Sequence, residues 1–187
     1  MNLIATHNSC TGERGKGLLS WLVTPFAKCQ SKTLAEQFGF GCRMFDVRVK
    51  YDADRRFVVK HGAWTCALTF DEVLTELQML CTLFYSPVYL RIMYEGNIEK
   101  DGCAEYFVSE VLERTRGFQV VDIYNKKPYK CLWRNKHVSV NYKECFVGLP
   151  VKWGRWEWLL PVPWIWKKLR YDKPDFNEYC YQIVDFL

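Results

Sequence analysis

A polar residue stands at or near the end of each of four short apolar segments, and this arrangement constrains the fold more than any other feature. The segments are rich in β-branched and aromatic residues, which predicts strands: Leu3–Thr6, Met44–Lys50, Phe57–Lys60 and Val88–Tyr94. The polar residues are, in the same order, His7, Arg48, His61 and Glu95. If these strands are parallel, their carboxyl ends meet at one edge of the sheet and the four side chains converge there.

Helical segments alternate with the strands, which favours a mostly parallel sheet in a single domain spanning residues 1–187. The clearest helix follows Thr69, which forms a capping box with Glu72 ahead of an apolar stripe at helical spacing. Thr33 and Glu36 form a second capping box. Further helices are predicted over Leu18–Lys28, Leu34–Phe38 and Cys103–Thr115, and further strands over Phe118–Asp122, Val138–Val140, Cys145–Leu149 and Tyr181–Phe186.

The composition is that of a globular domain with a sizeable core, since 49% of the 187 residues are hydrophobic and 25% are charged. A net charge of +5 favours an anionic partner, such as a phosphate or an acidic membrane surface, without identifying it. The nine cysteines are scattered through apolar runs and include no C-x-x-C pair. This pattern predicts reduced thiols that pack in the core, and neither a zinc site nor disulfides.

Targeting and membrane-spanning segments are not expected. Apolar residues follow Met1 and Asn2 directly, which leaves no room for the charged region of a signal peptide. The longest apolar run, Trp158–Trp166, contains two prolines and is too short to cross a bilayer. We therefore expect a cytoplasmic protein that is at most peripheral to a membrane.

Three ordered blocks carry a family resemblance: Thr6-His7-Asn8-Ser9, then Gln37-x-x-x-Gly41-Cys42-Arg43-x-Phe45-Asp46-Val47-Arg48, then His61-Gly62. In this order and spacing they resemble the catalytic X region of phosphatidylinositol-specific phospholipase C, over roughly the first hundred residues. The terminal Ile183–Phe186 is similar to the last strand of that family's barrel. The resemblance implies an α/β fold, a compact and distorted TIM-type barrel that is smaller than other members, with the active site at its carboxyl face.

The resemblance also implies an intramolecular first step, in which the inositol 2-hydroxyl attacks phosphorus and diacylglycerol leaves. In that reaction His7 corresponds to the general base and His61 to the general acid, while Asp185 corresponds to the carboxylate that orients His61. Groups that titrate near neutrality suit both acid and base roles.

Position 48 separates two branches of the family. Calcium-dependent members place an acidic metal ligand there, whereas the bacterial type places an arginine that can hold two phosphoryl oxygens. Arg48 therefore implies the metal-independent type without a cofactor, and Asp46 corresponds to the carboxylate that supports the arginine or the nucleophile side. Asn8 departs from the bacterial pattern, which has Asp there, and Met93-Tyr94 stands where a basic inositol contact is expected.

A tryptophan-rich segment with interleaved lysines and arginines suits a membrane interface, where indoles sit at headgroup depth. Its five indoles are Trp153, Trp156, Trp158, Trp164 and Trp166. The alternatives for this segment are core packing and a nucleic-acid stacking platform, which needs the same residue types. We expect the membrane rim, with nucleic acid as the less favoured partner.

Two other functions remain open at this stage. One is a phosphodiesterase that acts on RNA-like or nucleotide substrates with a vicinal hydroxyl, and the other is a non-catalytic lipid- or phosphate-binding module in which Asn8 marks loss of activity. A metal-dependent glycerophosphodiesterase is disfavoured, because it needs a Glu-x-Asp pair where this chain has Asp46-Val47-Arg48. Glu95 is either a hydrogen-bond acceptor at the barrel mouth or a surface residue, and His137 is expected at the surface.

Overall fold

The computed structural model describes residues 4–137 and 182–184. Eight strands form one mixed sheet: β1 (Ile4–Thr6), β2 (Cys42–Tyr51), β3 (Phe57–His61), β4 (Trp64–Thr69), β5 (Tyr89–Tyr94), β6 (Gln119–Asn125), β7 (Lys130–Arg134) and β8 (Gln182–Val184). Four α-helices and one 3-10 helix accompany them: the 3-10 helix Ser9–Gly12, α1 (Gly17–Ala27), α2 (Leu34–Gly39), α3 (Phe70–Phe84) and α4 (Phe107–Arg114).

Five of the strands run parallel, in the order β8, β1, β2, β5 and β6. Strand β2 is long enough to pair with β1 along its first half and with β3 along its second half, on the same edge. Strand β3 runs antiparallel to β2, with Val59 opposite Val49, and β4 runs antiparallel to β3. Strand β7 lies antiparallel on the outer edge of β6.

The main hydrophobic core lies on one face of this sheet. Alternation along β2 directs Phe45, Val47 and Val49 to that face, and all three are fully buried. The stripe predicted after Thr69 is confirmed at Val73, Leu74, Leu77 and Leu80, which are buried in the same core, but it is wrong at Phe84, which the same spacing includes and which is exposed. Burial of one helix face against a sheet face is what holds these layers together.

The local helix signals are confirmed where they rest on capping boxes. Thr69 and Glu72 bond reciprocally at the start of α3, and Thr33 and Glu36 do so at the start of α2. Helix α4 begins at Phe107, later than the expected Cys103. Strands β4 and β7 were not predicted from the sequence. The strands predicted at Val138–Val140 and Cys145–Leu149 lie outside the described residues.

The expected α/β class is confirmed, but the expectation of a mostly parallel sheet is wrong at its edges, and no closed barrel is present within residues 4–137 and 182–184. Antiparallel β7 occupies the outer edge of β6 and so ends the parallel series there. On the other side, β8 pairs only with β1 among the described strands. Closure into a TIM-type barrel therefore stays a prediction.

None of the helices in the described part of the chain has both the length and the apolar character needed to cross a bilayer.

Candidate active site

His7 follows the last residue of β1 and points its ring at the second strand. Its Nε2 contacts Arg48 Nη2 and lies 4.0 Å from Asp46 Oδ2. Gln30 fixes the backbone by donating from its side chain to the His7 carbonyl at 2.9 Å. The His7 side chain is 25% exposed, so it can meet both a buried charge and a ligand from solvent.

Arg48 lies at the centre of the site, inside β2, and is only 9% exposed. Its Nε is 3.5 Å from Asp46 Oδ2, and its Nη1 is 3.4 Å from Glu95 Oε2. Its Nη2 contacts His7. The guanidinium is thus held between two carboxylates and presents one edge to an imidazole.

Asp46 is a buried carboxylate that two guanidinium groups share. Oδ2 accepts the backbone N–H of Asn8 at 3.1 Å and faces Arg48, while Oδ1 lies 3.6 Å from Arg91 Nη1. Burial acts to raise the pKa of this carboxyl, but Arg91, Arg48 and His7 outweigh it and lower the pKa to about 2. Asp46 is therefore ionised at neutral pH and fixes both arginines.

Glu95 closes the other side of the guanidinium, directly after β5. Its carboxylate contacts Lys126 Nζ and accepts the backbone N–H of Gly62 at 2.9 Å. Burial raises the pKa of Glu95, but the Lys126 hydrogen bond and the Arg48 charge reverse this and lower it overall. Of the two sequence alternatives for Glu95, the structure places it as a buried acceptor in this cluster.

His61 reaches the site by a different route from the one the sequence suggested. It ends β3, which is antiparallel to β2, so the chain returns toward the level of Arg48 rather than ending at a shared parallel edge. Its Nδ1 lies 2.8 Å from the Ala27 carbonyl oxygen, a geometry in which Nδ1–H donates. The Ala27 carbonyl thus fixes the tautomer and leaves Nε2 for proton exchange. Asp185, the residue expected to orient His61, lies outside the described residues; β8 ends just before it.

Cys29 belongs to this site, which corrects the expectation that the cysteines serve as core packing alone. Its Sγ accepts the Asn8 side-chain N–H at 3.3 Å and donates to the Ala27 carbonyl oxygen at 3.6 Å, the same oxygen that His61 contacts. Burial acts to raise the pKa of the thiol, but hydrogen bonds and charge from the two histidines lower it to about 6. In the sequence, one visible hint is that this cysteine lies two residues after the end of α1, outside any apolar run.

The structure brings together six of the seven sequence-predicted catalytic and supporting residues: His7, Asn8, Asp46, Arg48, His61 and Glu95. Asp185 and the five tryptophans of the predicted rim lie outside the described residues. His137 is exposed, as expected. Beyond Cys29, sequence reasoning missed Arg91 and Lys126. The rule that singled out Glu95, a polar residue directly after a strand, also applies to Lys126 after β6.

The donor set of this cluster suits an anion better than a cation. Asp46 is shared by Arg48 and Arg91, and Glu95 by Arg48 and Lys126, so both carboxylates already face positive groups. Within the described ranges, no three or more histidine, cysteine or acidic side chains are grouped so as to hold a metal ion. A guanidinium in contact with an imidazole can bind a phosphoryl group and exchange protons with it.

A patch of exposed apolar side chains covers α1, which leads directly into the site at Ala27 and Cys29. Five of its residues are between 50% and 71% exposed: Leu18, Leu19, Trp21, Leu22 and Phe26. Basic Lys16 and Lys28 flank the helix. Large contiguous patches of exposed apolar side chains are uncommon on protein surfaces.

No protein-family model matches the chain, and comparison with curated proteins also gives no match. Among solved structures, the phosphatidylinositol-specific phospholipase C of Listeria monocytogenes is 18% identical with a TM-score of 0.48, over 67% of this chain and 50% of that one. A phosphatidylinositol-specific phospholipase C of Staphylococcus aureus is 19% identical with a TM-score of 0.46, over 67% of this chain and 47% of that one. The chain spans about half the length of these structures.

Proposed function

We propose that this chain is a phosphodiesterase that cleaves a P–O bond through attack by a neighbouring hydroxyl of the substrate, without a metal. The observation that carries the proposal is that His7 contacts the buried guanidinium of Arg48, while His61 is joined to the same cluster through Gly62, whose N–H donates to Glu95. One imidazole acts as base and the other as acid, while the cation binds the phosphate. Two histidines and a fixed cation are sufficient for this reaction type.

In this proposal each imidazole moves one proton. His7 Nε2 faces a hydrogen-bond donor of Arg48, so it carries the lone pair that a base needs. The substrate hydroxyl gives its proton to this nitrogen as its oxygen bonds to phosphorus. His61 keeps Nδ1–H on the Ala27 carbonyl, so the cationic form of His61 carries its second proton on Nε2 and gives it to the leaving oxygen as the old P–O bond breaks. The product is a cyclic phosphate and an alcohol, and the leaving group takes the proton.

Arg48 supplies the positive charge that the transition state requires. Because Asp46 and Glu95 fix the guanidinium from both sides, it needs little reorganisation to bind the phosphoryl oxygens. Removal of a preorganised group of this kind typically costs roughly 10²–10³ in rate. In this proposal the arginine, and not calcium, stabilises the developing charge.

The α1 patch favours a substrate held in a lipid surface, of the phosphoinositide class. Leucine and aromatic side chains on a short helix flanked by lysines are typical of interfacial helices that meet anionic lipid. The end of this helix contacts His61 through Ala27, so docking α1 on a bilayer brings the site near the headgroups. The tryptophan-rich segment remains a further predicted contact with the membrane.

A nucleotide substrate is the second candidate, and one feature favours it. Tyr129 is 62% exposed and stacks on Tyr124 with ring centroids 5.2 Å apart, while Arg91 lies over the Tyr124 ring and bonds the Tyr129 hydroxyl. An exposed, stacked tyrosine beside an arginine is a surface on which a base can stack.

The deciding experiment measures cyclic inositol phosphate released from phosphatidylinositol vesicles, with and without a chelator, by the wild type and by His7→Ala and His61→Ala. We expect release that the chelator does not affect and that falls roughly 10²–10⁴-fold in each variant. His137→Ala is the matched control, because His137 is exposed and outside the site. Absence of product from the wild type on vesicles, together with cleavage of a ribodinucleotide, would replace the lipid substrate with a nucleotide; absence on both would refute the phosphodiesterase.

The contribution of the α1 patch is measured separately. Trp21→Ala should reduce vesicle cleavage while leaving hydrolysis of water-soluble glycerophosphoinositol unchanged, since only the first requires docking. Met79→Ala, an exposed apolar residue on α3, is the control. Equal losses on both substrates would show that α1 supports the site and does not dock.

A further inference from the structure

A small cavity opens at the carboxyl end of β2, next to the candidate active site in the chain. Its volume is about 260 Å³, just below the range of about 300–1,000 Å³ typical of drug-sized ligands, so it suits a small ligand. One lining residue, Lys50, stands two residues after Arg48 on β2, and another, Tyr94, directly precedes Glu95. The charged and aromatic lining residues that bear on its chemistry are Lys50, Asp52, Arg55, Tyr94, Asp101 and Tyr106.

Both carboxylates of this cavity already have positive partners. Asp101 Oδ2 lies 3.0 Å from Lys50 Nζ and accepts the Tyr94 hydroxyl at 2.8 Å. Asp52 Oδ2 lies 3.2 Å from Nη2 of Arg56, whose side chain does not line the cavity. The acidic part of the lining is therefore neutralised.

Arg55 adds a positive charge that these carboxylates do not neutralise. Its side chain is exposed, and within the described ranges it makes no hydrogen bond or ion pair. Its guanidinium carbon lies 5.9 Å from the centre of the Tyr106 ring, an attraction that keeps the cation at the cavity wall. A guanidinium has five N–H donors, and the Lys50 ammonium uses one of its three on Asp101. The donors that remain for a ligand are thus cationic.

The backbone of Arg55 gives a second reason to assign its side chain a role. Its φ is 59°, in the left-handed region that arginine seldom adopts and glycine adopts readily. The residue lies in the turn between β2 and β3, where its N–H donates to the Asp52 carbonyl at 3.2 Å. A glycine would suit this turn better, so the turn alone does not explain an arginine here.

We propose that this cavity binds a phosphate monoester, with Arg55 and Lys50 as its donors and the Tyr106 ring as the adjoining wall. A guanidinium can hold two phosphoryl oxygens at once, and an ammonium adds a point charge. A monoester carries about 1.5 to 2 negative charges at pH 7, which suits two cations of which one is already paired. The ligand is either free in solution or the headgroup of a lipid that ends in a phosphate. None of these donors takes part in the proposed cleavage, so the site does not depend on it.

The first experiment measures binding with a signal local to the cavity. Inorganic phosphate is titrated into protein with isotope-labelled tyrosine, and the ring resonances of Tyr106 are followed by NMR, because phosphate bound at Arg48 lies outside this cavity. We expect saturable shifts in the wild type and an affinity about tenfold or more weaker in Arg55→Gln, since charge-assisted hydrogen bonds are lost. No saturable shift in the wild type, or the same affinity in Arg55→Gln, would overturn the proposal.

Two further variants separate binding from net charge and from turn structure. Arg116→Gln removes an exposed arginine paired with Glu113 and should keep the wild-type affinity. Arg55→Gly suits the left-handed backbone, so its urea midpoint should equal or exceed that of the wild type while phosphate binding is lost. An equal loss of affinity in Arg116→Gln would show a net-charge effect. A lower urea midpoint in Arg55→Gly with binding retained would assign the arginine to the turn. Either result would overturn the proposal.

Vesicle sedimentation distinguishes the two sources of the phosphate. Phosphatidylcholine vesicles contain either phosphatidate, which ends in a phosphate monoester, or phosphatidylglycerol, whose phosphate is a diester. If the ligand is a lipid headgroup, Arg55→Gln should bind the phosphatidate vesicles less tightly than the wild type does, and the phosphatidylglycerol vesicles equally. If the ligand is free in solution, the variant should differ from the wild type in the phosphate titration alone. Equal losses on both kinds of vesicle, with phosphate affinity unchanged, would show a general attraction to acidic surfaces and overturn the proposal.

Discussion

Both faces of the central sheet are buried, but apolar side chains line one face and charged side chains line the other. In β2, Phe45, Val47 and Val49 face the helices, whereas Asp46 and Arg48 alternate with them on the other face. Strand β5 repeats the pattern next to it, because Leu90 pairs beside Phe45 and Arg91 beside Asp46. The apolar face holds the helices, and the polar face holds a network of charges.

This difference shows that burying a side chain has a different free-energy cost on each face. On the apolar face it removes hydrocarbon from water and stabilises the fold without any specific partner. On the polar face each charge must meet an opposite charge, as Asp46 meets Arg48 and Arg91. The first face tolerates changes that keep volume, and the second tolerates few changes that alter charge.

The largest effect on stability is expected at Asp46. Asp46→Asn keeps the volume but leaves Arg48 and Arg91 without their shared counter-charge, which should lower the free energy of unfolding by about 3–5 kcal/mol. Leu90→Ala, one pairing position away on the apolar face, should lower it by about 2–5 kcal/mol through the cavity it leaves.

Urea denaturation of both variants as a function of pH distinguishes the two faces. The loss in Asp46→Asn should shrink in strong acid, where the wild-type carboxyl is itself neutral, and the loss in Leu90→Ala should not depend on pH. Losses with the same pH dependence in both variants would remove the distinction.

The next effect concerns activity, and it separates charge from shape on the polar face. Arg48→Lys keeps the positive charge but removes the planar fork that contacts His7, Asp46 and Glu95 together. We expect cleavage to fall roughly 10²–10³-fold, measured as kcat on vesicles. Arg56→Lys, an exposed arginine bonded to Asp52, is the control and should keep full activity. Full activity of Arg48→Lys would mean that a point charge is sufficient.

The third effect is the acid sensitivity of the wild type. Folding lowers the pKa of Asp46 from 3.8 to about 2, so the folded state favours the ionised carboxylate. Its contribution is complete above the unfolded value and is lost as the pH falls through the folded value. Between about pH 5 and pH 2, the wild type should lose about 2 kcal/mol more than Asp46→Asn. Parallel stability curves for the two proteins would contradict this assignment.

The features that the sequence predicted best are local ones. The capping boxes at Thr33 and Thr69 and the stripe of α3 depend on residues a few positions apart, and the structure contains all three. The expectation that polar residues at the ends of parallel strands converge also placed His7 and Glu95 in one site, since each directly follows a parallel strand.

The contacts that the sequence did not predict depend on distant partners. The bond from His61 to Ala27 depends on β3 turning antiparallel, and Cys29 enters the site only because α1 ends beside that ring. Neither relation leaves a periodic or spaced pattern in the chain. Arg91 was not singled out from the sequence, and it is the register of β5 against β2 that places it beside Asp46.

The smallest effect tests whether these local signals act independently of the site. Thr69→Ala removes the oxygen that accepts the Glu72 N–H at the start of α3, on the apolar side of the sheet. It should lower the free energy of unfolding by about 1 kcal/mol, measured in urea, because one helix cap is lost. The rate of cleavage should stay at its wild-type value, since the buried residues of α3 pack in the apolar core. A changed rate of cleavage in Thr69→Ala would show that the two faces are coupled, and that the polar network depends on how the helices pack behind it.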